Sequence, residues 1–145
     1  MRYWIYRGYS PLAIGECEWA SGQAVVPVNG RAAPTVQFSD SAFSIGIVAS
    51  SADASQIVGI HLAMMGAGQD VFSVNDVPGV TALLSDFPKD RTIVGQIGLW
   101  QENIGLAFDV LVDALENPRQ SDQGDGIYGA GLDSAGQLQV LFQPS

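Results

Sequence analysis

The chain has 145 residues, 47% of them hydrophobic, with 15 acidic against 6 basic side chains and a formal charge of −9. This describes one ordinary globular domain over residues 1–145, long enough to bury a real core. The charge repels phosphate backbones and no Lys/Arg-rich run offsets it, so no nucleic-acid partner is expected, whereas a basic protein partner fits.

Cys17 is the single cysteine. An internal disulfide is therefore impossible, and no Cys/His set for a zinc site exists. The opening stretch "MRYWIYRGYSPLAIG" lacks the apolar core of a signal peptide. No apolar run reaches the ~18 residues needed to cross a bilayer. The expectation is a chain made in soluble form in the cytoplasm, with no membrane partner and with export by a leaderless route left open.

In chain order, "RYWIYRGY" alternates as an edge strand does, and its dense aromatics Tyr3, Trp4, Tyr6 and Tyr9 either pack on a sheet or form a binding edge. "SPLAIGECEWASG" reads as turn, short strand, turn. "QAVVPV" is strand-like, with Pro27 confining it to an edge or an end. "NGRAAP" carries loop signals. "TVQFSDSAFSIGIVASS" is extended, "SADAS" is a turn, and "QIVGIHLAMMG" has the length and branching of a buried strand.

Then the pattern changes. "GAGQD" is glycine-rich but lacks the lysine and the following helix of a phosphate-binding loop, so it reads as a turn. "DVPGVTALLSDFP" places Asp76 at an N-cap, Pro78 at the helix start and Val80, Leu83, Leu84 and Phe87 at helical spacing. "RTIVGQIGLW" reads as a strand. "NIGLAFDVLVDALENP" repeats the helical signature, with Asn103 as cap and Ile104, Phe108, Leu111, Val112 and Leu115 as one stripe. "RQSDQGDG" is a polar loop with too few ligands for a calcium loop. "GIYGAGLDSAGQLQVLF" predicts a hairpin turning at Asp133–Gly136. The final "LQVLFQPS" resembles a viral-protease recognition tag, but completing that hairpin is the preferred reading. The predicted class is α/β (α+β), with mixed or antiparallel sheets packed against two main helices.

The chemistry centres on His61, the only histidine. A lone histidine on an apolar strand is either a satisfied core residue or a proton shuttle. Ser44 lies on the preceding strand. The midpoint of positions 44 and 61 falls in "SADAS", so an antiparallel hairpin turning there sets the two directly opposite, on one face.

Several segments together resemble the CheD family of chemoreceptor glutamine deamidases, which share a superfamily with the cytotoxic necrotizing factor toxins. They are "IGECEWASG", "SIGIVASSADASQIVGIHLAMM", "TIVGQIGLWQENIGLAFDVLVDAL" and "GAGLDSAGQLQVL", in that order. The resemblance implies a β-sandwich with flanking helices. It also implies a cysteine nucleophile 17 positions before the histidine, where this chain has Ser44. Ser44 stands there either as a natural loss of the thiol or as an introduced replacement. His61 would be the base. The family's threonine position is filled by Phe38, which leaves Ser39 or Thr35 as orienter, with Asp40 also near.

The implied substrate is a glutamine on another protein. Such hydrolysis needs a nucleophile, a proton shuttle and oxyanion donors, and no metal or organic cofactor. A serine hydroxyl is far less ionised than a thiol near neutrality, so activity with Ser44 is expected to be low. The N-terminal third departs from chemotaxis CheD, which favours a bacterial effector or toxin. Cys17 reads as a small buried residue, and its alternative is to be the nucleophile itself. Gln96, Trp100 and Gln101 fall where the family has a glycine-rich segment near its site. The competing reading is a non-catalytic acidic binding protein, an immunity or adaptor protein that masks a basic partner.

Overall fold

The structure, a computed structural model, describes residues 3–22, 24–28, 31–40, 43–66 and 70–145. Up to residue 63 the described chain is extended or turning: β1 (Tyr6–Arg7), β2 (Glu18–Gly22), β3 (Ala24–Val28), β4 (Arg31–Gln37), β5 (Ser44–Ser50) and β6 (Ile57–Ala63). A single 3-10 turn, Val74–Asp76, leads into α1 (Val77–Leu83). Then come β7 (Lys89–Gly95), α2 (Ile97–Ala114), β8 (Arg119–Ser121), β9 (Gly126–Leu132) and β10 (Leu138–Pro144).

The strands form a mixed six-stranded sheet, β1-β2-β6-β5-β7-β8, and an antiparallel four-stranded sheet, β10-β9-β4-β3. Every residue of β5 and β6 is buried, which is why both read as unbroken apolar runs without alternation. Alternation still sorts their side chains. Ile45, Ile47, Val58, Ile60 and Leu62 pack with Val80 and Leu84 near α1 and with Trp100, Phe108 and Leu111 of α2. On the other face, Val48, Ile57 and Val94 meet Val36, Phe38, Ala130 and Leu138 of the second sheet. The molecule is therefore α+β in three layers, helices on sheet on sheet, with two cores divided by the larger sheet. Fully burying each such aliphatic side chain contributes roughly 1.5–3 kcal/mol.

Several local expectations hold. Pro78 lies in the first turn of α1, and Pro27 lies on β3, an edge strand. The β9–β10 hairpin turns at Asp133–Gly136, where Gly136 has φ +78° and the Asp133 carboxylate accepts from the Ala135 and Gln137 amides. Pairing continues through Pro144, so the tag-like tail is part of this hairpin.

Others are corrected. The "RAAP" of the predicted loop is strand, because β3 and β4 pair from Val28 and Arg31 onward. The strand read over "RTIVGQIGLW" stops at Gly95, whose φ of +128° turns the chain, and Ile97–Trp100 is helix. Short apolar runs do not distinguish the two states by periodicity. Asn103 caps no helix start: its side-chain amide donates to the Leu99 carbonyl, and α2 breaks one residue later, at Ile104 (φ −139°, ψ 49°). Asp76 caps through the Ser73 amide (2.8 Å) of the 3-10 turn and makes no cap bond to α1. Arg119–Ser121, read as loop, pairs in parallel with β7.

The two sheets pack closely at Gly46. A Cβ there would lie 2.2 Å from the Phe38 ring. Gly46→Ala is therefore expected to cost about 1–3 kcal/mol in urea denaturation by overpacking. Phe38→Leu should remove part of that cost, so the double variant should be less destabilised than the two single changes added together.

Candidate functional site

His61 lies on β6 between two partners, opposite Glu18 on β2 and Gly46 on β5. Its ring faces the second sheet and sits 5.0 Å from the Phe38 ring, centroid to centroid. Nδ1 is 2.8 Å from the Ile14 carbonyl oxygen. A carbonyl only accepts, so Nδ1 carries the proton and Nε2 is left as the basic nitrogen. The same Ile14 oxygen accepts from the Ser39 amide at 2.9 Å. The imidazole is thus oriented by backbone, a role that side chains were expected to fill.

Ser44 pairs with Ala63 and not with His61. The register differs by two residues from the directly opposed pairing, because the turn runs from Ser51 to Gln56. Asp53 anchors that turn by accepting from the Ser51 and Ser55 hydroxyls. A shift of two keeps the face, so Ser44 and His61 are diagonal neighbours on one side of the sheet. Both line a cavity of about 10 Å³, together with Phe38, Ser39, Gln96 and Tyr128. That is room for about one water molecule. Ser44 is 5% exposed and His61 3%, so both sit at the buried end of the cavity, whereas Ser39 is exposed.

The other predicted residues separate clearly. Ser39 reaches the cavity, and its backbone touches the histidine's anchor. Thr35 does not: on β4 it alternates with the inward-facing Val36 and Phe38, which turns it to the outer face. Asp40 is exposed and absent from the cavity lining. The carboxylates that act on His61 are Glu16 and Glu18. Cys17 is buried on the helix side with Tyr3 and donates its amide to the His61 carbonyl. Cys17 packs in the helix-side core whereas the His61 ring lies against Phe38 of the second sheet, which separates Cys17 from this imidazole.

Trp100 is buried and its indole N–H donates to the Phe43 carbonyl at 3.0 Å, beside Ser44. Gln101 is exposed. Of the early aromatics, Tyr3 is buried edge-on against Phe72, while Trp4, Tyr6 and Tyr9 are exposed. Among the described residues no three potential metal-ligating side chains converge. Sequence reasoning missed Ile14 and Gly46. The first acts through its main chain, which leaves no side-chain signal. The second is legible only once Phe38 is seen against it.

Burial, the largest effect, holds His61 below its ordinary 6.5, against the opposing pull of the Ile14 carbonyl and Glu16. The unfolded chain therefore takes up this proton at a higher pH than the folded one does. Stability is full above about 6.5 and is lost as pH falls below it, with a slope of at most about 1.4 kcal/mol per pH unit for one proton. His61→Gln should flatten this part of the urea-midpoint profile between about pH 7 and pH 5, relative to the parent chain. No protein-family model and no curated protein matches the chain, which leaves the site's own chemistry as the guide to function.

Proposed function

We propose that this chain is a hydrolase of the protein-glutamine deamidase type, with Ser44 in the nucleophile position and His61 as the base. What carries the reading is the tautomer of His61. Its Nδ1–H is held by the Ile14 carbonyl, and its ring shares a cavity with Ser44. A base oriented by a third group and facing the same cavity as a hydroxyl supports a nucleophile–base pair.

In the reaction, the nucleophile attacks the carboxamide carbon of a substrate glutamine as Nε2 takes its proton. The C–N bond then breaks, and the departing ammonia takes that proton from the imidazolium. Water, deprotonated by the same nitrogen, cleaves the acyl intermediate to release glutamate and restore the nucleophile. Ser39 is the side chain placed to assist, since it lines the same cavity. A carboxamide is larger than the one-water cavity, so side chains around Phe38 and Ser39 must move for substrate to enter. The substrate is a glutamine of another protein, and the biological setting that fits is a bacterial effector or toxin.

The near-complete burial of Ser44 and His61 favours a second reading: a non-catalytic acidic protein, of immunity or adaptor kind, that masks a basic partner. A substrate-free measurement separates the two. Ser44→Cys should give a thiol that iodoacetamide alkylates at least about tenfold faster near pH 6 than the same variant carrying His61→Gln, because a neighbouring imidazolium stabilises the thiolate. The same variant should release ammonia from candidate protein substrates, with the mass change of glutamine to glutamate. An alkylation rate indifferent to His61 would leave the binding protein as the better reading.

A further inference from the structure

A second concavity opens at the end of the β5–β6 pair, beside α2. It has a volume of about 550 Å³ and is lined by Phe43, Met64, Met65, Val71 and Ile104, with Glu16 at its edge. Phe43 and Met65 are each 62% exposed, which is unusual for side chains of this size. The walls come from three places. Phe43 precedes β5. Met65 follows β6 and bridges to Val71. Ile104 is the residue at which α2 breaks. Pliable methionines in an apolar groove suit an apolar guest of variable shape.

Charge narrows the choice of guest. Glu16 lines the groove, and the exposed acids Asp70 and Glu102 are sequence neighbours of the lining residues Val71 and Asn103. Among the described residues no basic side chain lines it. Of the six basic residues, Arg7, Arg31, Lys89, Arg91 and Arg119 belong to β1, β4, β7 and β8, and Arg2 lies outside the described residues. A second copy of the chain would bring another −9, and an anionic lipid surface would be repelled in the same way. We propose that this groove docks the apolar face of a basic amphipathic segment from a partner protein. Docking in this groove does not require that Ser44 turn over substrate.

The probe is a leucine–lysine amphipathic helix of about 15 residues, with a leucine–glutamate helix of the same apolar face for comparison. Binding to the whole chain is read by fluorescence anisotropy at low and moderate salt. The lysine peptide should bind at least about tenfold more tightly than the glutamate peptide, with the advantage shrinking as salt rises. Phe43→Ser/Met65→Ser, two exposed positions where folding should be retained and is checked by circular dichroism, should weaken the lysine peptide roughly tenfold. Leu141→Ser, an exposed position on β10, should change it less than about twofold. Absence of binding, equal affinity for the two peptides, or equal losses in the groove and control variants would overturn the proposal. So would a dimer in sedimentation, or binding to phosphatidylserine vesicles, that the groove variant abolishes, since either assigns the groove to another guest.

Discussion

The carbonyl oxygen of Ile14 holds this structure together at its centre. It accepts from the Ser39 amide beyond β4 and from Nδ1 of His61 on β6, so one buried atom ties the end of the second sheet to the middle of the first. Ile14 is fully buried, and its own amide donates to the Gln37 carbonyl. Its chain segment therefore runs alongside β4 and closes one end of the interface between the sheets. Leaving a buried polar group of this kind unpaired costs about 1–3 kcal/mol. The imidazole, the Ser39 backbone and the segment around Ile14 are thus fixed in place together.

Around that atom the packing is steric. Phe38 fills the space that Gly46 leaves open and lies against the His61 ring. The phenyl ring does two things at once. It removes water from the imidazole, which pushes the proton affinity of His61 down, and it narrows the cavity shared with Ser44 to about one water. A threonine or other short polar residue at 38 would leave a wider and more polar space. The same side chain that makes the interface tight makes the site hard to enter.

Three of the six basic residues lie close together. Lys89, Arg91 and Arg119 sit on β7 and β8, at one edge of the large sheet. Arg91 uses its guanidinium on the Leu84 and Phe87 carbonyls just after α1, so part of that basic charge serves the fold. The apolar groove beside Phe43 and Met65 has acids at and near its walls and, among the described residues, no basic lining side chain. In a chain with so few cations, where they lie matters more than how many there are, because each nearby charge is screened over about 10 Å.

Much of this was legible in residues alone. Pro78 before a helical stripe, Asp133–Gly136 between two extended runs, and two branched apolar runs around "SADAS" each carry a short-range signal, and each element is present. Pairing parity placed Ser44 and His61 on one face, which survives the two-residue register shift because side chains alternate with period two. Illegible were the helical state of "IGLW", the short strand β8, and the identity of the group that orients the histidine. These depend on what lies across the sheet. A short apolar run becomes helix or strand according to its neighbours, and a backbone carbonyl has no letter in a sequence. By itself, then, the sequence determined the α+β class, the two buried central strands and the shared face of Ser44 and His61, because local turn chemistry and alternation act within a few residues. Only the tertiary structure decided the register, the Ile14 anchor, the closure by Phe38 and the exposed groove, because each arises where segments far apart in the chain compete for the same space.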